Sequence, residues 1–430
     1  MRCLICFLIA FAGWRVSAQS LYFPPTSGTA WETLSPTALD WCEEELNDLH
    51  AFLDERDTKA FLVLKDGRMV LEWYFDAFTQ DSVWYWASAG KSLTATLVGI
   101  AQEEGLLAID DPTSDYLGEG WTSLPPEQEA QITIRHQLTM TTGLNDLNVE
   151  VDCTDPACLT YLAEPGTRWA YHNAPYTLLG AVLEAASGLT LNQYMNSRIG
   201  LPIGATGLYL PAGYNRLFWS KPRAMARFGL LILADGQWDG SSILGDQAYL
   251  DAMRTPSQDL NPAYGYLWWL NGQDSYLYPR IQIPFSGPLV PSGPQDMYAA
   301  LGANDQKLYV VPSQNMVVVR LGNDAGDTPL AISDFDEALW ARISELACTT
   351  ATREAFSTRR LDVSPNPVRG ALRLSDTDDI VRLHVRDARG GSWPLPVGPE
   401  IDLSGRPAGV YLLVARYRNG ERAVRRVVIQ

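Results

Sequence analysis

Histidine and lysine are both scarce in this chain, with four His and five Lys in 430 residues. No His adjoins a cysteine and no H-E-x-x-H occurs, so a zinc site is not expected. Gly-rich phosphate loops and dinucleotide fingerprints are missing as well, and no cofactor is expected. Positive charge is in deficit overall. The net charge of −17 has the wrong sign for a phosphate backbone, which excludes nucleic acid as a general partner. Past the N-terminal segment no apolar run is long enough for a stable membrane span.

What the chain does have is core-forming material. Hydrophobic residues make up 46% and charged residues 19%, so wholesale disorder is excluded. The length suggests two or three domains, and the fourteen Trp and nineteen Tyr are read mainly as packing. Charge is uneven. From Ala351 onward there are fourteen Arg and no Lys against nine acidic residues, which marks a separate C-terminal module. At the other end, Arg2, an apolar run over 3–14 and Val16-Ser17-Ala18 read as a signal peptide over 1–18, without a lipobox. The chain is therefore expected to be secreted or held at the cell surface. Cys3 and Cys6 leave with that segment, and Cys42, Cys153, Cys158 and Cys348 remain. An even number in an exported chain points to disulfides. Three pairings are possible; a short Cys153–Cys158 clip with Cys42–Cys348 is the one expected, tying the first and last helices of the main domain together.

A helix is expected from Ser35-Pro36, with Leu39, Cys42, Leu46, Leu49 and Leu53 as its buried stripe. The runs 60–65 and 68–75 around Asp66-Gly67 read as a β-hairpin. Residues 88–105 read as a helix with Leu93, Leu97, Ile100 and Ala101 on its apolar face and Gly105 as its stop. A mainly helical middle to about residue 220 includes a helix over 176–187. Short apolar strands follow at 297–303, 307–311 and 316–321, then a helix over 330–348. This order predicts an α/β (α+β) domain over 30–350: one sheet built from distant parts of the chain, covered by terminal helices, with a helical insert. Residues 351–360 read as a linker, and the short alternating runs of 361–430 as a small all-β module.

The chemistry-bearing residues form two groups. In Ser88-Ala89-Gly90-Lys91, the lysine three residues on shares a helix face with the serine and can take its proton. It is the only S-x-x-K in the chain. For Lys91 to act as a base, burial or a nearby cation must lower its pKa. In Tyr171-His172-Asn173 a phenol can relay a proton to a leaving group, and an amide can orient substrate or lysine. Rival chemistries have less behind them. Trp86-Ala87-Ser88-Ala89-Gly90 lacks the first glycine of a nucleophile elbow. A triad would need His50, His136, His172 or His384, none of which has a supporting motif. Asp110-Asp111 reads as a turn.

In this order and spacing the motifs resemble serine hydrolases of the class C β-lactamase and penicillin-binding type. The resemblance rests on Ser88-Ala89-Gly90-Lys91-Ser92 with its helix, the Ile132–Leu144 segment (I-T-I-R-H-Q-L-T-M-T-T-G-L), Pro165-Gly166-Thr167 before Tyr171-His172-Asn173, and Tyr176-Thr177-Leu178-Leu179-Gly180. It implies a β-lactamase/transpeptidase-like fold, an antiparallel sheet flanked by helices beside a helical domain. It also implies a metal-free active site between the two parts and an acyl-enzyme on Ser88. Lys91 and Tyr171 share the acid and base work, and Asn173 orients substrate or lysine. One departure is visible. The third motif of such enzymes, K-T-G or H-x-G, should fall near Gly302-Ala303-Asn304-Asp305-Gln306, where no Lys or His stands at the head and Lys307 lies beyond the match. A backbone donor survives side-chain change, so the resemblance lets the Gln306 N–H complete the oxyanion hole. The missing cation argues for an esterase or amidase acting on a small-molecule or peptide substrate. The alternatives are a true β-lactamase, a D-alanyl-D-alanine carboxypeptidase, or a non-catalytic binding protein on the same fold.

The tail carries a second resemblance. Val363-Ser364-Pro365-Asn366-Pro367, Pro407-Ala408-Gly409-Val410-Tyr411-Leu412-Leu413 and a basic last strand are similar to a type IX secretion sorting domain. That implies the secretion machinery as a partner and release or surface attachment, usually with removal of the tail; an Ig-like accessory or carbohydrate-binding module is the rival reading.

Overall fold

Residues 21–147, 150–328, 332–348, 361–375, 377, 379–387, 392–418 and 422–430 are described by a computed structural model of the chain. The expected signal peptide (1–18) and linker (351–360) lie outside the described residues. The chain divides into two units, Met1–Ala347 and Cys348–Gln430.

In the first unit the helix expected from Ser35 is broken. Pro36–Leu39 forms one 3₁₀ turn, capped by the Ser35 side chain. Asp40 then turns left-handed at φ 55°, and Trp41 bridges to Ala347. Helix α1 starts only at Glu43 and runs to Glu55, with three Glu in its first turn, where the helix dipole favours them. Strands β1 (Thr58–Lys65) and β2 (Arg68–Tyr74) form the expected hairpin. Asp66 and Gly67 have φ of 50° and 79°, the two left-handed residues that a two-residue hairpin turn requires.

The remaining major elements are α2 (Gly90–Glu103), α3 (Asn173–Ser187), β3 (Gly207–Ala212), β4 (Asn215–Ser220), α4 (Pro222–Leu233), β5 (Trp269–Leu270), β6 (Tyr298–Gly302), β7 (Gln306–Val311), β8 (Met316–Gly322) and α5 (Asp334–Glu345). The helix expected over 330–348 is shorter, because Ser333 and Asp336 form a capping box that fixes its start. Six strands make one antiparallel sheet in the order β2-β1-β8-β7-β6-β5. The N-terminal hairpin thus joins the last strand, as expected of a sheet built from distant parts of the chain.

Every residue of β7 and β8 is buried, because helices cover both faces. On one face α4 lies so close that a Cβ on Gly229 would stand 2.5 Å from Val317 and 2.7 Å from Leu308. On the other, Phe52 of α1 stacks on Phe335 of α5, and Tyr309 meets Trp340. Helix α2 is buried continuously from Gly90 to Ala101, so it is a central helix rather than the one-faced helix its apolar stripe suggested. The middle of the chain is also less helical than expected, since β3 and β4 form a hairpin there.

The second unit is all-β. Val363–Ser364, Ala371–Leu374 and Glu400–Asp402 make one sheet. Ser392–Leu395, Ile380–Asp387, Gly409–Tyr417 and Arg422–Ile429 make the other. Leu383, Val385, Leu413 and Val427 lie in its core, while Arg425 and Arg426 are exposed.

Candidate active site

Ser88 sits in a 3₁₀ turn, Ala87–Ala89, that leads straight into α2. Ala87 is left-handed at φ 47°, a strained geometry for a residue with a Cβ and one often held at functional sites. Two neighbours hold the turn. Buried Trp86 donates its indole N–H to Ser220 Oγ at 2.8 Å and meets Phe218 edge-on at 4.9 Å. From the sheet side, Gly302 comes so close that a Cβ there would stand 2.4 Å from the Trp86 carbonyl oxygen and 3.0 Å from the Ala89 nitrogen. Only glycine allows this approach.

Lys91, the second residue of α2, is 3% exposed. Its Nζ donates to Ser88 Oγ at 3.0 Å and to Asn173 Oδ1 at 2.8 Å. It also lies over the rings of Tyr176 at 4.2 Å and Tyr171 at 5.0 Å. Burial lowers its pKa to about 7, against the opposing pull of the Asp152 carboxylate. Burial pushes the Tyr171 hydroxyl well above its ordinary value, and a hydrogen bond with Ser88 offsets part of the rise. The same enclosure therefore favours a neutral amine on Lys91 and a protonated phenol on Tyr171. Asn173 opens α3 and donates its Nδ2 to Asp152 Oδ1 at 2.7 Å. Trp269 of edge strand β5 stacks on Tyr171 at 5.7 Å, and Tyr264 meets it edge-on. Ser88, Lys91, Tyr171 and Asn173, found on two separate stretches of sequence, are thus brought together.

Gln306 makes its contacts with the sheet rather than with Ser88. It is fully buried, pairs with Gly302 across the β6–β7 hairpin, and commits its side chain to Gly322 and Asn304. Lys307 does not replace the missing cation. It shares a sheet face with Tyr309, beneath α5, and pairs with Asp305 at 3.0 Å and Asp336 at 2.7 Å. Buried Arg320 donates to the Asn304 and Asp305 carbonyl oxygens and so braces the hairpin that carries Gly302. His172 is buried and held down to about pKa 4 by desolvation, so it stays neutral beside the cleft.

Some contributors were not legible in the sequence. Asp152 lies in a loop with no pattern. Asn215, Arg216 and Leu217 line the cleft beside Ser88 from the β3–β4 hairpin; that hairpin's Gly213 was a turn signal that could have revealed it. Cys153 and Cys158 form the expected disulfide, Cα–Cα 5.9 Å, and Cys42 and Cys348 are each disulfide-bonded as well. Among the described residues no group of three or more His, Cys, Asp or Glu is arranged to hold a metal, and no helix is long and apolar enough to cross a membrane.

Known proteins resemble this chain in sequence and fold. The chain is 22% identical over 323 residues to the 6-aminohexanoate-dimer hydrolase of Paenarthrobacter ureafaciens, covering 66% of this chain and 77% of that one. Among solved structures, a candidate 6-aminohexanoate-dimer hydrolase from Bacillus anthracis superposes with a TM-score of 0.58 at 19% identity, over 75% of this chain and 89% of that one. A family VIII carboxylesterase does so with a TM-score of 0.54 at 17% identity, over 70% and 96%. The family described as Beta-lactamase matches residues 49–341. With that match spanning the sheet, both groups of site residues and the helices that carry them, the chain belongs to the β-lactamase family of serine hydrolases.

Proposed function

We propose that the protein hydrolyses an ester or amide through an acyl-enzyme on Ser88. One observation carries this reading: a buried lysine, lowered to about pKa 7, 3.0 Å from a serine hydroxyl at a strained helix start. Neutral Lys91 takes the hydroxyl proton as Ser88 Oγ attacks the carbonyl carbon. The carbonyl electron pair moves to oxygen, where the N–H groups of Ser88 and Ala303 receive it. Ala303 follows the glycine packed on the nucleophile turn, so we assign it the donor role in place of Gln306. As the tetrahedral adduct collapses, the leaving alcohol or amine takes the proton back from Lys91 through the Tyr171 hydroxyl. Water then attacks the acyl-serine by the same relay.

The substrate reading follows from charge. No cation stands at the head of the strand facing Ser88, and Lys307 is committed beneath α5. A carboxylate-bearing β-lactam or peptide therefore lacks its partner there, and Arg216 in the cleft lining is already paired with Glu184, which favours a neutral ester or amide. p-Nitrophenyl acetate is expected to be turned over at least about 30-fold faster than nitrocefin, since a missing charge-assisted partner costs about 2 kcal/mol or more. Its kcat/KM is expected to rise with pH through about 7, as Lys91 loses its proton. Faster nitrocefin cleavage would return the site to a true β-lactamase or D-alanyl-D-alanine carboxypeptidase. No covalent labelling by a fluorophosphonate would leave a binding protein on the same fold.

We further read the chain as exported and its second unit as a type IX sorting module. The disulfides fit an oxidising compartment, and the motifs around Asn366 and Tyr411 sit on a small all-β unit. Intact mass of the protein secreted by its native host is expected to lack residues 361–430. A tail kept on every secreted molecule would count against the sorting role.

A further inference from the structure

We propose that Asp152 is a positioning residue for the Ser88–Lys91 pair, held at its post by the Cys153–Cys158 clip; this rests on the acyl-enzyme reading above. The hydrogen bonds form a continuous chain. Ser88 Oγ accepts from Lys91 Nζ at 3.0 Å, Asn173 Oδ1 accepts from the same nitrogen at 2.8 Å, and Asp152 Oδ1 accepts from Asn173 Nδ2 at 2.7 Å. An amide can present either end to a neighbour, but an ionised carboxylate only accepts. Asp152 therefore fixes which way Asn173 points. Its NH₂ must face the carboxylate, which leaves the carbonyl oxygen for Lys91. With the amide reversed, two sets of donors would face each other and the lysine would lose the contact that keeps it against Ser88.

A loop residue can do this only if the loop is held. Asp152 precedes Cys153, which is buried and bonded to Cys158. Within the clip the Cys158 N–H donates to the Asp155 carbonyl at 2.9 Å. The Asp155 side chain accepts from the Tyr214 hydroxyl at 3.0 Å, which ties the loop to the β3–β4 hairpin on the cleft's other wall.

The charges around Lys91 single out the same residue. Arg216 is paired with Glu184 at 2.8 Å, and Asp146 with Arg168 at 2.6 Å. His172 is neutral above about pH 4, and burial keeps Tyr171 and Tyr176 protonated. The carboxylate that acts on Lys91 is that of Asp152, and it favours the charged amine. Removing the charge moves the lysine's titration to lower pH. A merely loosened, wetter pocket would move it the opposite way, toward the value of a lysine in water.

The test is Asp152→Asn in the full chain, with p-nitrophenyl acetate followed from about pH 5 to about pH 10. The expected result is a kcat about tenfold lower with KM within about twofold, and an acid limb displaced to lower pH. An unchanged kcat, or an acid limb displaced to higher pH, overturns the proposal. If Asp152→Asn does not fold, Asp152→Glu takes its place. That variant keeps the charge on a longer arm, so kcat is expected to fall with the acid limb unmoved; wild-type kcat overturns the proposal. Cys153→Ser/Cys158→Ser tests the clip. Its loss of kcat is expected to vanish in the Asp152→Asn background, because both changes act on one contact. Fully additive losses would remove the clip from the proposal. Wild-type protein without Ser88-dependent turnover would overturn the hydrolase reading itself. Wild-type turnover with an indifferent Asp152 variant would overturn only the role of Asp152.

Discussion

Ser88→Ala is expected to lower kcat/KM toward p-nitrophenyl acetate by about four orders of magnitude or more and to abolish fluorophosphonate labelling. Without Oγ no acyl-enzyme forms, and what remains is catalysis by binding and backbone donors alone. The fold is expected to survive. Ser88 is only half-buried, and its main contact is with Lys91, which keeps Asn173 as an acceptor. A change of about 1 kcal/mol or less in unfolding free energy is expected by thermal or urea melts. Turnover within about tenfold of wild type would show that another residue is the nucleophile.

Lys91→Met is expected to cost about 10²- to 10⁴-fold in kcat, the range for loss of a positioned general base. Methionine has nearly the length of lysine, so the cavity between Tyr171 and Tyr176 stays filled. It also avoids a trapped charge, which arginine would introduce because it does not deprotonate. The pH profile decides the assignment. Wild-type activity should rise through about pH 7 with the lysine, and that limb should disappear in the variant. A limb that persists unchanged would move the base elsewhere. Tyr171 would then need to ionise, against the burial that holds it protonated.

These two residues were legible in the sequence because their relation is local. A separation of three on a helix fixes their shared face whatever surrounds them. The Asp66-Gly67 hairpin was legible for the same reason, as was α3, which ends at Ser187 as expected but begins three residues earlier, at Asn173. The break at Asp40 was not. The apolar stripe from Leu39 to Leu53 continues through it with helical spacing, and the chain leaves the helix because Trp41 pairs with Ala347 far away in sequence. The motif alone points to Gln306 as a backbone donor. The Gln306 side chain faces Gly322, and the residue packed on the nucleophile turn is Gly302, a closeness the motif's spacing does not encode. Asp152 carried no pattern at all, since its role depends on where a disulfide-closed loop meets the start of another helix. Such relations follow from tertiary closure, which alternation and periodicity do not encode.

The strand order has a consequence for timing. Strand β1, in the N-terminal hairpin that precedes the nucleophile, finds its second partner in β8, about 250 residues later by the pairing of Val63 with Val318. The turn at Ser88 is supported by Gly302 from that same late segment. Without β8 (Met316–Gly322) the N-terminal hairpin has no link to the strands that carry Gly302. Closing so long a loop comes late in folding. The support for the Ser88 turn is therefore expected to be complete only when β8 has taken its place between β1 and β7.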